Sequence, residues 1–426
     1  MQDFIKDFDK KVGKQALIKG WVYNFRSSGK IVFLQVRDGS GFCQAIVDQK
    51  AVDADSWKIA SEMTIESSVE IEGKVAKHPK KDEYELQVEE LKFVQKADEY
   101  PIGKKEHGPD FLLENRHLWL RAPKQWAIQR ARNTIINATY EFLNNEGFIK
   151  IDSPILTPAA CEGTSELFEL DYFGNEKAYL SQSGQLYLEA AIASFGKVFD
   201  FGPVFRAEKS KTRRHLTEFW MMDVEMAFCD HKMNLEMQER LIEFVVQKVL
   251  ETNKQELQIL ERDISALEKI KVPFNRLSYA EAIKLLKKKG SDIKDGEDLG
   301  NDDETLLMEG FDKPIFIEKW PAEIKAFYMK REGNLALCSD MLAPEGHGEI
   351  IGGSQREDDY DELVKRIKEH KLPVDAFKWY LDLRKYGSVP HSGFGFGLER
   401  IVGWICGVHH VRETIPFPRT INRIYP

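Results

Sequence analysis

The stretch from Phe205 to Phe228 constrains this chain more than any other. One apolar run (Val198, Phe199, Phe201, Val204, Phe205) leads into it, and a second (Trp220-Met221-Met222, Val224, Met226, Phe228) leads out. Between them lies the basic segment Lys209-Ser210-Lys211-Thr212-Arg213-Arg214-His215. The pattern predicts two strands joined by a long basic loop. Arg206 and Glu208 stand two apart at a strand end, so they share one face. Such a pair suits a ligand carrying both an anion and an amine edge. A surface hairpin closed by an ion pair has the same pattern, so the rest of the chain must decide.

The length of 426 residues suits two or three domains. The formal net charge of −9 carries no global basic signal, so any polyanion must meet local basic patches. The five cysteines are scattered and form no CxxC pair. That argues against a zinc site or a disulfide framework and fits a reducing compartment. The first residues are charged, without an apolar signal core, and no stretch is apolar enough to span a membrane. The expectation is a cytoplasmic protein.

Short alternating segments fill the first hundred residues. Val32, Leu34 and Val36 alternate with Phe33, Gln35 and Arg37; Phe42, Gln44 and Ile46 alternate with Cys43, Ala45 and Val47. Ser27-Ser28-Gly29, Asp38-Gly39-Ser40-Gly41 and Lys80-Lys81-Asp82 mark turns. Short strands at this spacing predict a small barrel of OB-fold size over residues 1–98. With Val32, Leu34 and Val36 inward, Phe33 and Arg37 face outward, and Gln44 reaches the same face. An aromatic, an amide and a guanidinium together can stack on and hydrogen-bond unpaired bases. A barrel with both faces partly buried fits the same residues. Residues 99–120, with Pro101, Gly103, Lys104, Lys105, Gly108 and Pro109, read as a hinge or linker.

Residues 121–426 read as a larger domain. Ile128, Ala131, Ile135, Ala138 and Phe142 form one apolar stripe, predicting a helix from Lys124 to Asn145 capped near Gly147. A strand over Phe148–Ile151 follows, ended by Ser153-Pro154. Gln182, Ser183 and Gln185 suit a small polar molecule, although such a run is also an ordinary helix cap. Residues 251–312, with Lys287-Lys288-Lys289 and an acidic stretch, read as a peripheral helical insertion without chemistry. Glycines flank Glu349 and let a ligand approach the backbone. In Gly393–Arg400 they pack a helix start against a sheet, where Arg400 can face a polyphosphate.

Together these stretches resemble the three signature motifs of the class II aminoacyl-tRNA synthetases. The helix and strand ending at Pro154 resemble motif 1, Phe205–Phe228 motif 2 and Gly393–Arg400 motif 3. The N-terminal barrel resembles the anticodon-binding domain of the aspartyl/asparaginyl/lysyl subgroup. The resemblance implies an α+β chain whose catalytic domain is a seven- or eight-stranded, mostly antiparallel sheet flanked by helices. It also implies a homodimer through the motif 1 helix and strand. Ser183-Gly184-Gln185-Leu186-Tyr187, Ile324-Lys325-Ala326-Phe327-Tyr328 and Gly353-Ser354-Gln355-Arg356-Glu357 look like the asparaginyl branch. Aspartyl enzymes carry Ser-Pro-Gln and a downstream lysine there, where this chain has Gly184 and Leu188. Losing that cation fits a neutral substrate side chain.

The resemblance implies ATP-dependent ligation of L-asparagine to its tRNA through an aminoacyl-adenylate. Arg206 would contact the α-phosphate and Arg400 the γ-phosphate, with His215 close to the phosphates. Glu208 would accept from the adenine amino group and Phe219 would stack on the ring; Leu216 and Gly397 complete the ATP site. Glu349 is the first candidate for Mg2+ and Asp340 the second. Glu162 and Gln185 would hold the α-ammonium beside Ser183, and Arg356 would donate to the side-chain carbonyl. Asp223 or Glu225 would accept from the side-chain amide. Phe33 and Gln44, with Arg37, would read the anticodon; Lys211, Arg213 and Arg214 would meet the acceptor stem. The competing readings are an aspartyl enzyme, including one that charges both tRNAs, a tRNA-independent asparagine synthetase, and a non-catalytic RNA-binding paralogue.

Overall fold

The computed structural model describes residues 2–103, 105–158, 166–174, 176–210 and 212–426. It divides into two compact units, Met1–Gly108 and Pro109–Pro426.

In the first unit, strands Gln15–Ser28, Ile31–Arg37, Phe42–Asp48, Tyr84–Gln95 and Ser68–Lys77 close a barrel in that spatial order. The alternation does the folding. Val32, Leu34, Val36, Ala45 and Val47 point into the core with Ile18, Val22, Val69, Ile71 and Leu86, as the period of two requires. Helix Ala54–Ser61, capped by the Asp53 side chain on Ser56 N, covers one end of the barrel with Ala60.

In the second unit, a nine-stranded sheet runs Asn275–Ser278, Ile315–Pro321, Leu335–Ala343, Gly348–Gln355, His391–Gly397, Glu218–Ala227, Lys197–Phe205, Ile149–Lys150. Arg331–Glu332 pairs beside this path. The outermost pairs are parallel and every inner pair is antiparallel. Helix Pro123–Asn145 buries its predicted stripe, Ile128, Ala131, Ile135, Ala138 and Phe142, in a core with Phe199, Met222 and Phe396. Pro123 starts the helix where its missing N–H is harmless. Helices His231–Thr252 and Leu398–Cys406 share that core.

Two stretches differ from their sequence reading. Residues expected as linker include helices Pro109–Glu114 and Arg116–Trp119. Arg116 is fully buried and donates to the carbonyls of Glu413, Ile415 and Pro416. Region 251–312 is not only peripheral helix, since Asn275–Ser278 completes the sheet edge. Its charged residues cover one side of helix Tyr279–Lys288, while Tyr279, Ala282, Ile283 and Leu286 pack against Ile315, Ile317 and Trp320. Charge density hid the apolar side. Among the described residues, no helix is long and apolar enough to cross a membrane.

Candidate active site

The antiparallel centre of the sheet carries two adjoining cavities. Strands Lys197–Phe205 and Glu218–Ala227 pair from Lys197↔Met226 to Phe205↔Glu218. Arg206 N extends the ladder by donating to Thr217 O at 2.9 Å. Arg206 and Glu208 therefore leave the strand end beside the floor made by Gly348–Gln355 and His391–Gly397.

The first cavity, about 310 Å³, is walled by Arg206, Glu208, His215, Leu216 and Phe219 on one side. Glu349, Gly397 and Arg400 stand on the other. Every residue expected around ATP thus lines one space. Arg206 Nη1 is buried and has no hydrogen-bond partner among the described residues. An unpaired buried guanidinium nitrogen is costly and fits a site completed by an anion. Arg400 Nη1 donates to Glu349 O at 2.8 Å and approaches the Glu349 carboxylate at 3.5 Å. Burial, with Arg400 close by, lowers the His215 pKa from its ordinary value and favours the neutral ring. The ring is held by Thr212 Oγ1 at Nδ1.

The second cavity, about 510 Å³, shares Arg206, Glu349 and Gly352 with the first. Ser183, Gln185, Asp223 and Arg356 line it, with Lys325, Tyr328 and Asp340. Asp223 accepts from Gly184 N at 2.8 Å and Ser183 Oγ at 3.1 Å. Burial pushes its carboxyl up to about 6. A Cβ added at Gly395 would lie 2.6 Å from Asp223 Oδ1, so the missing side chain is what lets the carboxylate stand there. Arg356 donates to Glu225 from Nε at 3.1 Å and Nη2 at 2.9 Å, and to Ser354 Oγ at 2.6 Å. Glu225 is fully buried behind it and is absent from the cavity wall. Beneath both, Glu189 accepts from Gln185, Tyr380, Arg384 and His391. Burial opposes its charge, but Arg384 and His391 hold its carboxyl well below the usual carboxylate range.

Asp340 takes an ion pair from Lys325 at 2.8 Å, and the same ammonium lies 3.6 Å from the Trp320 ring centre. Burial pushes Asp340 up to about 6, with Glu349 adding to the shift and Lys325 opposing it. Lys325, within the stretch Ile324–Tyr328, is a cavity residue to which the sequence pattern assigned no role.

Several expectations need correction. Arg37 is buried, bonded to Glu66 through both terminal nitrogens, and not displayed with Phe33. Its strand position was read properly, but Glu66 captures the guanidinium at the barrel rim. Phe33 is half-buried, with the Arg26 guanidinium 4.5 Å from its ring centre; Gln44 is half-buried too. Arg214 is buried and bonded within the protein, so its side chain is not displayed for an acceptor stem, whereas Arg213 is exposed. Leu188 packs with Ile192 and Val198, away from the cavity wall. Glu162 and Lys211 lie outside the described residues.

Residues 108–421 match the family described as tRNA synthetases class II (D, K and N), and residues 16–94 match the OB-fold nucleic acid binding domain. The chain belongs to these class II synthetases. It is 55% identical over 426 residues to the asparagine–tRNA ligase of Desulforamulus reducens, covering 99% of each chain. It superposes on the Pyrococcus horikoshii asparaginyl-tRNA synthetase complexed with asparaginyl-adenylate at a TM-score of 0.95, with 45% identity over 100% of both chains. The Entamoeba histolytica asparaginyl-tRNA synthetase in complex with asparaginyl-adenylate gives a TM-score of 0.88 and 33% identity over 97% of both. Within the class, the chain is a member of the asparagine–tRNA ligase family.

Proposed function

We propose that the protein ligates L-asparagine to its tRNA in two steps, with the adenylate made across the two cavities. The observation that carries the reading is Arg206, which lines both cavities and keeps a buried Nη1 without a partner among the described residues. An anion held at that nitrogen would border both cavities, as the reading requires of an amino-acid carboxylate next to an α-phosphate.

In the first step a carboxylate oxygen of asparagine attacks the α-phosphorus. The bond to the β-phosphate breaks, and pyrophosphate leaves with the electron pair. The nucleophile is already an anion, so no base is required, and catalysis is positioning plus charge neutralisation. Arg206 neutralises the α-phosphate, while Arg400 and His215 face the outer phosphates. Glu208 takes the adenine amino group, and Phe219 stacks on the ring beside Gly397. In the second step the terminal adenosine hydroxyl of the tRNA attacks the adenylate carbonyl, and AMP leaves.

Asparagine fits the second cavity better than aspartate. The Arg356 charge is already balanced by Glu225, and Lys325 is balanced by Asp340. A neutral amide suits paired charges; a carboxylate beside Arg356 would face Glu225, with Arg356 and Lys325 both already paired. Arg356 donates to the side-chain oxygen and Glu225 orients it. Asp223, which lines the cavity, accepts from substrate N–H groups, with Ser183 and Gln185 beside it.

Magnesium fits as well. Glu349 Oε1 and Asp340 Oδ1 converge on Gly352, lying 3.0 and 3.9 Å from a Cβ placed there. Among the described residues no group of three or more His, Cys, Asp or Glu could hold a metal alone, so phosphates and water would complete the shell. When bound, the ion would add positive charge at the phosphates.

In the barrel, Phe33 and Gln44 read an unpaired base, with Arg26 backing the ring. The protein works as a cytoplasmic homodimer through helix Pro123–Asn145 and the edge strand Ile149–Lys150, where Ile149 is 46% exposed. The deciding experiment is ATP–pyrophosphate exchange with asparagine and aspartate side by side. Exchange must depend on asparagine; a stronger response to aspartate would overturn the reading.

A further inference from the structure

Region 251–312 delivers one helix, Asn301–Met308, to the basic loop. Arg214 Nη1 donates to Asn301 Oδ1 at 3.0 Å and Glu304 Oε2 at 2.6 Å. Its Nη2 donates to Thr305 Oγ1 at 2.8 Å and Gly346 O at 2.7 Å. The helix is itself anchored at both ends. Ser291 Oγ donates to Asp303 at the start, and Lys289 Nζ donates to the carbonyls of Leu306 and Glu309 at the finish. Leu307 and Met308 are buried against Ile315, Ile317 and Leu342.

Glu304 does more than pair with Arg214. Its Oε2 also accepts from Glu349 N at 3.3 Å. It therefore ties the returning end of the loop to the strand that carries Glu349, whose carbonyl accepts from Arg400. The fit is close. Gly348 sits at φ +69, and a Cβ there would collide with Glu304 Oε2 and Arg214 Nη1. Arg214 and Glu304 side chains are 5% and 14% exposed, so this pair is not the weak, screened kind found on surfaces. Removing one partner of such a pair leaves a buried charge uncompensated.

What the pair fixes is the chain immediately after it. Arg214 itself walls the first cavity, and His215 and Leu216 follow it directly on the same wall. On the other flank, Val411 N donates to Arg213 O at 3.1 Å. We propose that Glu304 is a positioning residue for ATP: by clamping Arg214 to helix Asn301–Met308, it sets the returning end of the basic loop against the triphosphate half of the cavity. The proposal rests on reading that cavity as the ATP site. It gives the two adjacent arginines different surroundings: Arg214 is buried in the clamp, while Arg213 is exposed and donates to Gly346 O at 3.2 Å.

The test uses Glu304→Gln, Asn301→Ala and Arg214→Ala in the full chain, in ATP–pyrophosphate exchange with asparagine and in tRNA charging. Binding of a non-hydrolysable ATP analogue is measured by calorimetry. Glu304→Gln should raise KM for ATP and weaken the analogue by about tenfold or more, the scale of one hydrogen bond to a charged group. KM for asparagine and for tRNA should stay unchanged. Asn301→Ala, which keeps the ion pair, should shift ATP in the same direction by a smaller factor. Adding Glu304→Gln to Arg214→Ala should weaken ATP no further. An unchanged KM for ATP in Glu304→Gln would overturn the proposal. So would an equal rise for ATP and asparagine, additive losses in the double variant, or an effect on tRNA alone. Failure of the unaltered protein to exchange with asparagine would sink the underlying function instead, a separate result.

Discussion

The two cavities meet at Arg206 yet treat charge in opposite ways. In the ATP half, Arg206 keeps an unpaired nitrogen and Arg400 reaches Glu349 chiefly through its backbone carbonyl. In the amino-acid half the two cations that it does not share with the first cavity each have a carboxylate: Arg356 has Glu225 and Lys325 has Asp340. A polyanion needs cations left uncompensated, because ligand charge itself completes the pairing. A neutral amide needs donors and acceptors in balance. The same residue types thus build opposite environments, and the difference lies in their partners.

The most severe way to break this contrast is at the shared wall. Arg206→Ala should reduce asparagine-dependent exchange by about a thousandfold or more, the scale of losing one charge-stabilising group. The loss should appear mainly in kcat. A loss confined to KM for asparagine would place Arg206 in the amino-acid half alone.

Unbalancing the second cavity comes next. Glu225→Gln leaves the Arg356 charge uncompensated. Asparagine-dependent exchange should fall by about a hundredfold, on the scale of breaking a buried pair. The asparagine-to-aspartate ratio should also shrink, because the extra cation now favours a carboxylate. Side-by-side exchange reads both. An unchanged ratio would show that balance at Arg356 does not set the preference.

A substitution in the barrel sharpens the comparison from outside both cavities. Phe33→Ala should leave exchange intact and lower tRNA charging by about tenfold, consistent with the loss of one stacked base. Reduced exchange would show that Phe33 supports more than RNA.

How far these partners were legible from the sequence follows from their separation along the chain. Alternation placed Val32, Leu34 and Val36 inside, because a strand's period of two is local. The stripe Ile128–Phe142 was legible for the same reason. Arg37 was assigned the proper strand, but Glu66, twenty-nine residues on, decides where its guanidinium goes. Arg213 and Arg214 are neighbours in one loop, and no local rule separates an exposed arginine from a buried one. What separates them is Glu304, ninety residues away in a region whose charge suggested only a solvated face. Asp223 and Glu225 alternate onto one side of a strand, so periodicity could not choose between them. The pairing across the sheet separates their surroundings, setting Asp223 opposite Gly395 on the cavity wall and Glu225 opposite Gly393, beside Arg356.

The gentlest probe of the contrast is pH, because Asp223 is a cavity-lining carboxylate in the half where charge is balanced. Burial raises it from the ordinary 3.8 to about 6. In the proposed reading its ionised form accepts from substrate N–H groups. Asparagine affinity should therefore be full above about pH 6 and fall as the pH drops through it, by up to about tenfold per unit below. The stability sign is opposite. A folded pKa above the unfolded one means folding loses stability as pH rises from about 4 to 6, and the loss persists above. Asp223→Asn should then raise the Tm of the unliganded protein at neutral pH while weakening asparagine. KM for ATP should ignore both the substitution and this pH step. If KM for ATP followed the same profile as KM for asparagine, Asp223 would belong to a charge network spanning both halves, and the division at Arg206 would fail.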